Sequence, residues 1–160
     1  MDSIGYNSEW IEVDGNNIHC TALIADTVKL GTGNVIYPYA VIGYRGFIRT
    51  DKELTGVVEI GDNNRIGAHT FIAHDVKIGS DNILMSYVNI GHDCFIGHTN
   101  EIGAKSILCG HVTVGNHNKI KVGVSIKNRI LIGNATLIGM GSVVVKPVSN
   151  GKEVKGNPAR

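Results

Sequence analysis

Cysteine is too scarce and too irregularly spaced to hold this chain together. Cys20, Cys94 and Cys109 are an odd number with no CxxC spacing, which argues against a disulfide framework and against a zinc knuckle; reduced thiols are expected. No run of eighteen apolar residues occurs, and the start MDSIGYNSEW carries neither a basic stretch nor an apolar signal segment. No membrane insertion is expected, and the expected location is the cytoplasm. An excess of one charge is missing too: 15 basic residues face 14 acidic ones, leaving no electrostatic footprint for a nucleic acid. Aromatic residues make up 6% and proline occurs three times. There is no P-loop or dinucleotide fingerprint, because the glycines recur at a fixed interval rather than between a strand and a helix.

That interval is what the chain has in abundance. Every sixth residue from Ile18 to Val144 is Ile, Leu or Val, at twenty-two successive positions, and the next residue is often one of the 21 glycines, as in Ile60-Gly61, Ile90-Gly91 and Ile132-Gly133. A period of six fits neither the 3.6 of a helix nor a free strand, although it preserves strand alternation. Four residues beyond each aliphatic position comes a second small or apolar residue, such as Asn64, Thr70, Val76, Asn82, Val88 and Cys94. Both positions are expected to point inward, and Cys94 is therefore read as a small core filler rather than a nucleophile.

Hexapeptide periodicity is the signature of a parallel β-helix, whose single unit cannot bury its apolar face until others stack on it. The expected organisation is a preface at 1–16, a β-helix domain at 17–146 and an extended tail at 147–160, where Pro147 and Gly151 break the period. Within the domain, residues 44–57 (YRGFIRTDKELTGV) keep Ile48 and Leu54 in phase but lack the small-residue pattern and carry five charges. They read as a loop leaving the column, a place where function often resides.

The repeated Ile-Gly hexads and the closing Val154-Lys155-Gly156-Asn157-Pro158-Ala159-Arg160 resemble the hexapeptide-repeat acyltransferases. Within that superfamily, Val58–Ile66, Gly79–Met85, Ile90-Gly91-His92-Asp93-Cys94 and Gly110-His111-Val112 resemble UDP-N-acetylglucosamine acyltransferase and related nucleotide-sugar N-acyltransferases. The resemblance implies an all-β, left-handed parallel β-helix and a homotrimer with active sites between subunits. The left hand rests on the resemblance alone, since the general rule for parallel crossovers is right-handed. It also implies three hexads per coil, so that residues eighteen apart stack.

On that geometry His74-Asp75, His92-Asp93 and Gly110-His111 occupy one corner of three successive coils. The resemblance implies acyl transfer from a thioester, expected to be acetyl-CoA because the chain ends at Arg160, to an amine or hydroxyl of a nucleotide-linked sugar. His92 is the implied general base, Asp93 its orienting partner and the Gly110 N–H the oxyanion donor. His111, His74, Arg45 and Lys52 are candidate substrate-binding residues, the last two for nucleotide phosphates. No metal is expected. Three alternatives stand beside this: an acyl-carrier-protein-dependent O-acyltransferase on UDP-N-acetylglucosamine, a γ-class carbonic anhydrase and a non-catalytic scaffold. The anhydrase needs three imidazoles, and its single His precedes a His-x4-His pair, whereas here the pair His69 and His74 precedes His92.

Overall fold

Strand alternation within a six-residue unit dictates the architecture of the computed structural model, which describes residues 9–44 and 56–160. In most hexads one outward and one inward residue form a two-residue strand, as in Lys77–Ile78, Ile83–Leu84 and Asn89–Ile90, where the first is exposed and the second buried. The four residues that follow turn the chain through a corner. No helix occurs among the described residues, and consequently no helix there is long and apolar enough to cross a membrane.

Stacking the coils gives three sheets of nine, seven and six strands. Nearly all pairs are parallel, and the partners stand eighteen residues apart: Lys77 pairs Phe95, Ile83 pairs Glu101, and Asn89 pairs Ile107. Three hexads therefore make one lap. Ile66, Ile72, Ile90, Ile96, Ile102 and Leu108 fill the interior with 0% exposure. Each such side chain contributes roughly 1.5–3 kcal/mol before entropy is subtracted. The second inward position is buried as well, including Thr70, Val76, Val88, Ser106 and Val112.

Polar residues in that second position need partners, and one corner supplies them by repetition. Asn34, Asn64, Asn82, Asn100 and Asn118 stack in the core. The Oδ1 of Asn64 accepts the Asn82 backbone N–H at 2.9 Å and its Nδ2 at 3.0 Å, and Asn82 does the same for Asn100 at 2.9 and 3.0 Å. Thr136 closes the ladder on Asn118. Buried amides are thus satisfied by their own copies one lap away. This is the asparagine corner; the corner bearing His74, His92 and His111 is the histidine corner.

One lap is longer than the others. Leu30 pairs Ile60, Val35 pairs Arg65, and Val41 pairs Phe71, an offset of thirty. The twelve additional residues fall where the charged loop is expected, and Thr27 Oγ1 donates to Gly56 O at 2.8 Å where the chain rejoins the column. Twelve is two hexads, which is why the count of six runs unbroken through Ile48 and Leu54 to Ile60. Residues 45–55 of that expected loop, Arg45 and Lys52 among them, lie outside the described residues.

Both ends of the column are paired rather than left open. β1 (Trp10–Val13) runs antiparallel to β2 (Asn16–His19), with Trp10 opposite His19. Asp14 and Gly15 between them both have positive φ, the geometry that suits a two-residue hairpin turn. At the other end the tail is not free: Glu153–Val154 pairs with Leu137–Ile138, and Ala159 N–H donates to Val143 O at 2.8 Å. An unpaired last coil would expose a row of backbone donors and acceptors, and the tail covers them.

Candidate active site

Each corner carries a residue in left-handed backbone conformation. Asp75, Asp93 and His111 have φ of 57°, 56° and 60°, a region that Asp tolerates better than most residues. Backbone bonds tie the three levels together: Asp93 N–H donates to His74 O at 3.3 Å and His111 N–H to His92 O at 2.9 Å. The structure therefore brings His74, Asp75, His92, Asp93, Gly110 and His111 to one edge.

His92 is the centre of the group. Its Nδ1 lies 2.7 Å from Asp93 Oδ2, and its side chain is 36% exposed. A carboxylate only accepts, so Nδ1 carries the proton of the neutral ring and Nε2 is left with a lone pair. That is the form a proton acceptor needs. The His111 ring stands edge-on to it, with centroids 5.0 Å apart and planes at 84°. His111 Nε2 is 3.9 Å from the same Asp93 oxygen, too far for a hydrogen bond in this arrangement.

Gly110 matters for a spatial reason. A Cβ at that position would lie 2.7 Å from His92 Nε2 and 2.8 Å from its Cε1, so any other residue displaces the ring. The backbone N–H of Gly110 has no acceptor among the described residues and is free to bind an oxyanion.

His74 departs from the expectation of substrate contact. Its residue exposure is 0%, so it presents no surface to a bound molecule; its Nδ1 pairs with Asp75 Oδ2 at 2.8 Å and its ring stacks beneath that of His92. The spacing of eighteen between the two His-Asp pairs reveals the stacking, whereas burial depends on what covers the ring and has no signal in the sequence. His69 lies at a third corner, stacked between Tyr39 and Tyr87 at 5.0 and 4.8 Å. This aromatic stack emerges only from the structure, although Tyr87 follows His69 by eighteen. His69, His74 and His92 are therefore not assembled as one ligand set within the chain.

His92, Asp93 and His111 each bring one ligand atom within 4.8 Å of the others. Two imidazoles and a carboxylate differ from the three imidazoles of the anhydrase pattern. Below the site Cys94 is 2% exposed and its Sγ donates to Cys109 O at 3.2 Å. Burial pushes its thiol up to about 12, so it is a filler and not a thiolate nucleophile. Two concavities of about 480 and 440 Å³ lie on the faces of the column, lined by residues such as Lys77 and Phe95 or Arg65 and Met85 rather than by His92, Asp93 or His111.

Residues 57–92 match the family described as bacterial transferase hexapeptide, six repeats. Repeat, all-strand fold and structural neighbours together match the hexapeptide-repeat acyltransferase superfamily. Among solved structures the chain is similar to LpxA, a UDP-N-acetylglucosamine acyltransferase from Bacteroides fragilis, at 27% identity over 92% of this chain and 60% of that one, with a TM-score of 0.88. A second UDP-N-acetylglucosamine acyltransferase gives 27% identity, 91% and 59% coverage and a TM-score of 0.86. Perosamine N-acetyltransferase from Caulobacter crescentus, in complex with CoA and GDP-perosamine, gives 25% identity, 91% and 55% coverage and a TM-score of 0.57. The chain thus spans less than two thirds of these neighbours' length. No curated protein matches the sequence.

Proposed function

We propose that the chain is an acyltransferase that moves an acyl group, in the first instance acetyl from acetyl-CoA, to an amine or hydroxyl of a nucleotide-linked sugar. The observation that carries this reading is the 2.7 Å pairing of His92 Nδ1 with Asp93, which leaves Nε2 as a lone-pair acceptor beside the free N–H of Gly110. His92 Nε2 takes the proton of the acceptor as its nitrogen or oxygen attacks the thioester carbonyl carbon. Asp93 supports the imidazolium, and the Gly110 N–H donates to the oxyanion of the tetrahedral intermediate. Collapse restores the carbonyl and breaks the carbon–sulfur bond, and the departing thiolate recovers the proton from His92. His111, edge-on to the same ring, is proposed to contact donor or acceptor.

His92 stands 36% exposed at an edge of the column, and we propose a homotrimer in which a neighbouring subunit supplies the opposite wall of the site. Arg45 and Lys52 are proposed for the nucleotide phosphates. A second reading, carrier-protein-dependent O-acylation of UDP-N-acetylglucosamine, is favoured by the TM-scores of 0.88 and 0.86 to acyltransferases of that sugar nucleotide against 0.57 to the acetyltransferase.

The test is release of free thiol from acetyl-CoA, or from an acyl carrier protein thioester, against a panel of UDP-, GDP- and dTDP-linked sugars and amino sugars. Thiol release that requires one acceptor and disappears in His92→Ala is the expected result. Equal release by wild type and His92→Ala would overturn the assignment of the base. Sedimentation showing an active monomer would overturn the shared site.

A further inference from the structure

His74 repeats the chemistry of His92 one lap earlier but is shut away from water. Both rings give Nδ1 to the aspartate that follows, at 2.8 and 2.7 Å. The rings lie within 8° of parallel with centroids 5.6 Å apart. The His74 side chain is 1% exposed against 36% for His92. Its Nε2 is buried and has no hydrogen-bond partner among the described residues.

A space-filling role explains this poorly. An apolar residue would fill the same volume without burying a ring nitrogen that lacks a partner, which carries a cost. Direct substrate binding is closed off by burial. Asp75 takes the Nδ1 proton of the ring, which leaves Nε2 as a bare lone pair. Resting on the reading of His92 as the base, we infer that His74 is a positioning residue: a neutral imidazole whose face fixes the plane of His92 and supports the imidazolium that His92 becomes. A cation over a neutral π face is attracted to it. That attraction arises only as the proton arrives at His92, so it favours the reacting state over the bound ground state and acts on kcat rather than KM. Among the described residues no second ring stacks on the other side of His92, where the next lap carries Gly110.

The experiment reads the ring itself. In protein labelled with 15N-histidine, wild-type His92 is expected to show one neutral form with the proton on Nδ1, and His74→Ala to show averaged ring nitrogens as the ring gains freedom. In the same variant kcat falls about 10-fold with KM unchanged, and His74→Phe, which restores a flat neutral face, recovers to within about 3-fold of wild type. Unchanged His92 nitrogens in His74→Ala overturn the inference whatever the activity, as does a raised KM at constant kcat. Should His74→Ala not fold, His74→Gln and His74→Phe are compared at equal thermal stability. Equal kcat in the two shows that no ring face is needed and overturns it. If His92→Ala keeps its activity while the His74 variants still alter the His92 nitrogens, the positioning stands and the assignment of the base fails.

Discussion

The asparagine corner and the histidine corner use the same hexad position in opposite ways. At the asparagine corner the outward side chain of each lap caps the backbone N–H of the lap before: Asp62 N–H donates to Ser80 Oγ at 3.0 Å, Ser80 N–H to His98 Nδ1 at 3.0 Å and His98 N–H to Asn116 Oδ1 at 2.7 Å. At the histidine corner His74 and His92 turn instead to their own aspartates, and Gly110 has no side chain to offer. His98 and His92 stand at the same place in their hexads, yet the first must accept at Nδ1 and the second donate there. Their free nitrogens are consequently of opposite kind, an N–H in His98 and a lone pair in His92. One corner spends its polar groups on holding the column, and the other leaves a ring lone pair and a backbone N–H without partners among the described residues.

The comparison can be broken most severely at His92. His92→Ala is expected to lower the rate roughly 100–10,000-fold, while thermal melting stays close to wild type because the ring is half-buried and carries no lap-to-lap bond. Gly110→Ala comes next. It keeps the backbone N–H but drives a methyl to within 2.7 Å of His92 Nε2, so kcat is expected to drop roughly 10–100-fold through displacement of the ring, a loss in the range of misplaced catalytic groups. The steady-state rate and the His92 nitrogen signals measured together check it.

The structural corner answers differently. Asn82→Ala strands the partners on both neighbouring laps and should cost about 2–3 kcal/mol in denaturant unfolding, with kcat of the folded fraction unchanged. The smallest effect concerns alkaline pH. The Cys94 thiol is raised by burial to about 12 from an ordinary 9.0, so its neutral form favours the folded state. That contribution is complete below about pH 9, where neither state ionises, and is lost as pH climbs toward 12, by up to about 1.4 kcal/mol per pH unit. Cys94→Ala should flatten this slope in unfolding curves taken from about pH 8 to 11.

Much of the fold was legible because one number, six, fixes the strand alternation and the inward positions, while the lap of three hexads came from the family resemblance. The inward positions at Asn64, Thr70, Val76 and Cys94 are buried as the period requires. Burial of His74 was not legible, since a His-Asp pair looks the same whether water or another ring lies above it. Nor could the period separate His98 from His92. The difference lies in where each Nδ1 turns: that of His98 accepts the Ser80 N–H one lap earlier, whereas that of His92 donates to the residue that follows, Asp93, where His98 is followed by Thr99. The pairing of the tail was hidden for another reason: the lap from Leu137 to Glu153 is two residues short of eighteen, so it breaks the count while keeping the sheet.

The long lap has a consequence for how this column can be edited. Because the excess over eighteen is a whole number of hexads, excising twelve residues between Tyr44 and Val57 would return that lap to standard length and leave every inward residue on its original side. In register, the long lap is a standard one with two whole hexads inserted. A shortened protein that stacks as before but handles its acceptor differently would assign to the inserted residues a task separate from folding.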